Sequence, residues 1–411
     1  MLATRKFTVI VPTRNRADTL QHTLRTCVMQ DYDNLEILVS DNCSDDGTAE
    51  VVAAVQDPRV RRIQTERRLG MSQNWEFALG HVGDGMVLIV GDDDALLPNA
   101  IQDIARILSE TGCEGIAWKE SKYYWPDCGG GAPANTLRMS LRSGWRVVSA
   151  KEALDKVTRY EAAYTTLPSL YWGVLSRDAI RRATGATGAF FQSLNPDVYS
   201  ALATTMVLDR YVWSERSYRL NGMSRHSTGI SFAAVEKTKE SPRTQFLTEG
   251  NLPFHPSYVL VPASPLYVAE AYQQAREHVP GGASYPAIPL ATVLDQALRS
   301  ASADRADVYD QVAEAVREMA RLAGTPELAE GLIPSHPHRE APPPRTATGI
   351  SLRTMTMKVD CNHFAIRDVA GAAVLCHTIS SLLEHDYFSP KGIAKRVIAD
   401  VRGRISRLSR R

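Results

Sequence analysis

The chain has 411 residues, 44% hydrophobic and 23% charged, the composition of an ordinary globular protein with ample material for a core. Forty-seven basic residues against forty-six acidic ones leave a net charge of +1, so no global field draws nucleic acid or acidic partners and electrostatic recognition must be local. Six scattered cysteines (Cys27, Cys43, Cys113, Cys128, Cys361, Cys376) form no CxxC pair, which disfavours a zinc ribbon or disulfide scaffold and fits a reducing cytosol.

The opening "MLATRKFTVIVPTRNR" enters a strand within a few residues, leaving no room for a signal peptide. No apolar run approaches the ~20 residues of a membrane span. A cytoplasmic protein is expected, soluble or held at the inner face of the membrane. The pattern predicts strands at residues 7–11, 35–40, 59–64 and 85–90, alternating with helices at residues 19–30, 48–56, 72–82 and from 97 on. Strands this apolar are buried on both faces, which predicts an α/β fold with a mostly parallel sheet between helices. Residues 113–228 are irregular and rich in aromatics and are read as completing the same domain, 1–235. A mainly helical extension follows at 236–332, then a proline-rich linker at 333–349 and a C-terminal segment, 350–411.

A sheet of this kind binds its ligand at the carboxyl ends of its strands. The polar clusters "PTRNR", "DNCSDDG", "ERRLGMSQN" and "GDDD" all fall at such ends, so four consecutive strands aim chemistry at one place. Three adjacent carboxylates, Asp92, Asp93 and Asp94, repel one another and suit a hard divalent cation, magnesium or manganese, whose shell is completed by phosphate and water. The bland alternative is an acid-rich helix cap, which needs only one aspartate. Asp41 can accept hydrogen bonds from a base or ribose, while Asp46–Gly47 reads as a tight turn and Ser44 or Asp45 as the next cap. Arg14 and Arg16 can pair with phosphate or simply be solvated.

The segments "VIVPTRNRADTLQHTLRT", "EILVSDNCSDDGTAEVV", "RRLGMSQNWEFAL" and "VLIVGDDDALLPNAI", in this order, resemble the nucleotide-sugar-binding half of glycosyltransferase family 2, with the GT-A (Rossmann-like) fold. The resemblance is strong over residues 6–120 and weaker to about 230, making 1–120 the nucleotide-sugar half and 121–235 the acceptor side. It implies that Pro12, Thr13 and Arg16 line a uridine pocket and that Asp41 meets the base, with Gly70 and Asn74 as further nucleotide contacts. It also implies Asp93 as the metal-binding acid, Asp94 as the next acid and His226 as a further metal or diphosphate ligand. Gly91 stands where the family often has its first aspartate, leaving the ribose contact to Asp92. Asp197 in "LNPDVYSALA" is the candidate general base, though an aspartate opening a helix is also an ordinary cap. Trp172 in "LYWGVLSRDAI" can stack on an acceptor sugar or lie in the core.

The expected activity is therefore metal-dependent, inverting transfer of a sugar from a nucleotide diphosphate, most naturally UDP, to a hydroxyl of a saccharide, lipid-linked or other acceptor. A scaffold that kept the fold without catalysis is the alternative. A sugar nucleotidyltransferase would want a glycine-rich loop after strand one, which "PTRNRADT" lacks, and an aspartyl phosphatase would want a threonine where Leu96 stands. The basic, amphipathic residues 391–411 suit an anionic membrane surface, or equally a helix packed on the protein with a solvated face.

Overall fold

The computed structural model describes residues 5–129, 133–227, 252–339 and 348–384. Strands β1 (Phe7–Thr13), β2 (Leu35–Asp41), β3 (Val60–Gln64) and β4 (Met86–Ile89) alternate with helices α1 (Ala17–Val28), α2 (Thr48–Ala53) and α3 (Met71–Gly80). Phe7, Val9, Ile10 and Val11 have no exposed surface, and β1 accordingly sits inside the sheet, parallel to β2 on one side and β4 on the other. Its register pairs Thr13 with Asp41 and Asp41 with Gln64, so three strands end at one level and their loops face the same way.

Next come β5 (Ala95–Leu96), α4 (Ala100–Thr111), β6 (Gly115–Trp118), β7 (Ser121–Tyr124), β8 (Thr136–Ser140), β9 (Trp145–Ser149), α5 (Ala150–Thr158), β10 (Gly173–Ser176), α6 (Arg177–Ala183), α7 (Pro196–Thr205), β11 (Arg210–Ser214) and β12 (Arg219–Met223). The first sheet runs β3-β2-β1-β4-β10-β6-β11-β9, and β10, antiparallel to both neighbours, breaks the parallel pattern. This is the mixed α/β architecture expected, mostly parallel on the side that carries the acidic turn. The helix expected from residue 97 starts only at Ala100, because Ala95–Leu96 first pairs with β12.

Helices α8 (Ser264–His278), α9 (Leu290–Ala301), α10 (Ala306–Leu322) and α11 (Glu327–Ser335) form the helical region. In α10, Val308, Val312, Val316 and Met319 recur at helical spacing and are buried, the last three in one cluster with Tyr199 and Leu202 of α7. Glu270 of α8 has no exposed surface and accepts from Ser193 Oγ at 2.5 Å and Gln274 Nε2 at 3.0 Å, holding the loop that leads into α7. The expected linker begins inside α11, and His336 beyond it still bonds Asp295 at 2.7 Å.

Strands β13 (Gly349–Ser351) and β14 (Thr356–Asp360) extend a second sheet, β13-β14-β8-β7-β12-β5. Helix α12 (Val369–Glu384) packs Val369, Ala372, Ala373 and Cys376 onto that sheet. The segment is thus built into the fold rather than hanging from it, and His22 of α1 meets Asp368 at 3.3 Å. The basic stretch 391–411 lies outside the described residues. No described helix is long and apolar enough to cross a membrane.

Candidate active site

The strand-end loops are tied to one another by short polar side chains. Asn15, with φ 52°, takes Ser44 Oγ at its amide (3.0 Å) and reaches Asp45 with its side chain. Asp46 accepts from the amides of Ala17 and Thr48, each at 3.0 Å, so one carboxylate caps both α1 and α2. The expected capping by Ser44 or Asp45 is thereby corrected: both hold Asn15 instead. Arg16, fixed at the start of α1, reaches Asp92 at 2.8 Å and the His226 carbonyl at 2.6 Å.

The three adjacent aspartates have three different environments. Asp92 pairs with Arg16, and burial raises its carboxyl against the pull of that guanidinium. Asp93 accepts from Ser224 Oγ at 2.7 Å and Ser227 Oγ at 2.6 Å, both on Oδ2; among the described residues none donates to Oδ1. Asp94 faces inward, accepting from Gly222 N at 2.7 Å and Gly91 N at 2.9 Å, with Arg219 at 3.3 Å. Burial pushes Asp94 up to about 6 against the opposing charge of Arg219. Two glycines make this turn possible. A Cβ on Gly91 would lie 2.9 Å from Asp94 Oδ2 and 3.3 Å from the Tyr171 hydroxyl, so an aspartate there would displace the buried pair. A Cβ on Gly222 would lie 1.7 Å from the Asp93 carbonyl oxygen, which leaves no room for any side chain.

The opposite wall is aromatic. Trp172 and Tyr164 both turn toward Asp197, at 3.4 Å from the indole nitrogen and 2.9 Å from the phenol. Burial raises the Asp197 carboxyl above the ordinary aspartate range, and these two donors act against that rise. Burial beside that carboxylate holds the Tyr164 phenol protonated. Asn195 occupies the cap position of α7 and Pro196 its first turn, and the Asp197 carboxylate, which lines the cleft, also accepts from the backbone amides of Asp197 and Val198 at the helix start. Arg219, buried to 2% exposure, stacks 3.9 Å from the centre of the Tyr171 ring and 5.0 Å from that of Trp172, joining the acidic turn to the aromatic wall.

Pro12, Thr13, Arg16, Gly70, Asn74, Asp92, Asp93, Trp172, Asp197 and His226 all line one cleft of about 870 Å³. Three of the expected groups have partners of their own in the structure. Asp41 does not reach the cleft: its carboxylate is taken by Arg62 at 2.5 Å and the Ser44 amide at 2.9 Å. Asp94 is turned away from the cleft, its carboxylate held by Arg219 and two backbone amides. His226 lines the cleft, but its ring bonds Asp18 at 3.1 Å instead of joining Asp93. Tyr164, Tyr171, Arg219, Ser224 and Ser227 were not legible as site residues, although the last two flank His226 in "MSRHS".

Residues 8–121 match the family model described as glycosyl transferase family 2. That stretch resembles family 2, and the rest of the chain lies outside the match. The matched segment thus contains the first strand-end loops and the acidic turn, while Tyr164, Trp172 and Asp197 lie beyond it. Over 108 residues the chain is 33% identical to the Campylobacter jejuni GalNAc(5)-diNAcBac-PP-undecaprenol beta-1,3-glucosyltransferase, covering 26% of this chain and 35% of that protein. Over 107 residues it is 28% identical to the Rhizobium meliloti succinoglycan biosynthesis protein ExoO, covering 26% and 31%. The matched stretch is therefore about a third of either relative. A crystal structure of S. aureus TarS 1–349 in complex with UDP-GlcNAc aligns over 93% of both chains, with 16% identity and a TM-score of 0.48.

Magnesium and manganese are typically held by one or two carboxylates, with substrate phosphate and water completing the shell. Asp93 fits that mode through Oδ1. A cage made wholly of protein does not fit, since among the described residues no three His, Cys, Asp or Glu side chains converge.

Proposed function

We propose that the protein is an inverting glycosyltransferase that moves a sugar from a nucleotide diphosphate donor, a UDP-sugar, to a hydroxyl acceptor. The observation that carries this reading is the pairing of walls: acids at strand ends on one side and, on the other, one carboxylate raised by burial and held by two donors. The nucleotide lies along Pro12, Thr13, Gly70 and Asn74, with Arg16 and Asp92 at the ribose and phosphates. Asp93 would hold a divalent cation through Oδ1, and such a cation would supply charge stabilisation to the departing diphosphate. Asp197 takes the proton of the acceptor hydroxyl as that oxygen bonds to the sugar carbon, on the face opposite the leaving group. Tyr164 and Trp172 fix the carboxylate's direction, so Trp172 acts here through Asp197 and not by stacking on sugar. The two relatives' names concern saccharide assembly, which favours a saccharide or lipid-linked acceptor and a role in polysaccharide synthesis.

The test is calorimetric titration of UDP into the protein with and without manganese, repeated on Asp93→Asn. Binding that requires manganese and is lost in the variant supports the reading. Binding indifferent to both removes the cation from it, and no nucleotide binding by UDP, GDP or dTDP overturns it.

A further inference from the structure

A second groove, of about 460 Å³, lies beyond the segment that carries Tyr164. Ala162 and Thr166 line this groove while Tyr164 and Thr165 line the cleft, and Lys119 lines it while Glu120 lines the cleft. The two concavities therefore share a wall. Five basic residues converge in the groove: Lys119 after β6, Arg142 between β8 and β9, Arg146 on β9, Lys156 on α5 and Arg353 between β13 and β14. Only two acids, Glu152 and Glu215, accompany them. Glu215 is already held by Arg146 at 3.1 Å and the Trp213 indole at 2.9 Å. Among the described residues no acid forms a direct ion pair with Lys119, Arg142, Lys156 or Arg353; Arg142 acts only at longer range on Glu215, and Lys156 on Glu161. In a chain of net charge +1, gathering like charges from separate segments into one concavity costs free energy that an anionic ligand offsets.

We infer that this groove binds an anionic saccharide, bearing phosphate or carboxylate groups, as the part of the acceptor that extends away from the hydroxyl at Asp197. The link to Asp197 rests on the glycosyltransferase reading; the anion site itself does not. Arginine forks from two sides suit either anion, and a concave site selects a chain over a planar surface.

The test measures fluorescence anisotropy of labelled oligogalacturonate and labelled phosphorylated malto-oligosaccharide with the full chain, against neutral malto-oligosaccharide and phosphatidylglycerol vesicles. At least one anionic saccharide should bind, more weakly as salt rises, and the neutral one should not. Combining Arg142→Gln, Lys156→Gln and Arg353→Gln should weaken that binding on the order of tenfold, and Arg142→Gln alone about twofold. UDP binding and thermal midpoint should be unchanged in both variants, since all three side chains are exposed and outside the cleft. Equal binding of the neutral probe, binding to vesicles only, no saccharide binding, or full affinity in the triple variant overturns the inference. Probe binding without any UDP binding would sink the donor reading while supporting the groove.

Discussion

The two walls of the cleft are built by opposite means. The wall proposed to hold the donor comes mainly from the ends of β1 and β4 and the loops beside them, within residues 8–121. Strand register brings those ends together, with Ser224 and Ser227 closing the wall over Asp93. The acceptor wall takes Tyr164, Trp172 and Asp197 from separate segments across a mixed sheet, and Glu270 of the helical region secures the approach to α7. Side chains placed by register recur at fixed points of a sequence, whereas side chains placed by tertiary packing leave no local pattern. A family match that stops at residue 121 follows that division.

The largest effects should come from one residue on each wall. Asp93→Asn should lower transfer by roughly 10³-fold by weakening the group that stabilises the leaving diphosphate. Its folding free energy should change by less than about 1 kcal/mol, because the amide oxygen still accepts from Ser224 and Ser227. Asp197→Asn should lower kcat by about 10²- to 10⁴-fold with donor affinity intact. Kinetics with a UDP-sugar, paired with UDP titration, separate the two. If Asp197→Asn weakened UDP binding as much as it slowed transfer, the division of labour between the walls would be lost.

A smaller effect should appear where the walls join. Arg219→Met removes the cation facing Asp94 and stacked beside Trp172, and should cost about 3 kcal/mol in urea unfolding at about pH 8. The sign of its pH dependence follows from Asp94, whose carboxyl burial has already raised to about 6 and which loses its main opposing charge in the variant. A raised carboxyl favours folding while protonated, and that contribution is lost as pH rises through the folded value. The deficit of the variant should therefore shrink at about pH 5. A deficit independent of pH would mean that Arg219 acts by packing alone.

The legible part of the molecule was the part with short-range causes. Apolar strands ending in polar loops gave the order β1 to β4, and ten of the twelve candidate side chains do line one cleft. Asp94 and Asp41 misled because a carboxylate at a strand end looks the same whether it faces the ligand or a buried arginine. Their partners, Arg219 and Arg62, are 125 and 21 residues away, beyond any motif. Gly91 had a cause that only three dimensions expose, since what excludes its Cβ is the Asp94 carboxylate and the Tyr171 hydroxyl. No strand is legible in the C-terminal segment over 350–384 because β13 and β14 are short and poorly buried, and the partner of β14, β8, is more than 200 residues earlier in the chain.

The finest test concerns the acceptor wall alone. Tyr164 is held protonated and donates to Asp197 at 2.9 Å, so it stabilises the charged carboxylate that a base must be. Burial is the larger influence and raises Asp197; the phenol opposes it. Tyr164→Phe keeps the ring and removes the opposition, so the Asp197 carboxyl should rise further and the acid limb of kcat/KM should move to higher pH. On the alkaline plateau, where the carboxylate is ionised in both proteins, the loss should be only about tenfold, the cost of a less well-directed base. Trp172→Phe should move the limb in the same direction by less, since its bond to Asp197 is longer, 3.4 Å. A uniform loss with an unmoved limb would show that Tyr164 shapes the cleft without tuning the base, and the acceptor wall would then owe its chemistry to burial alone.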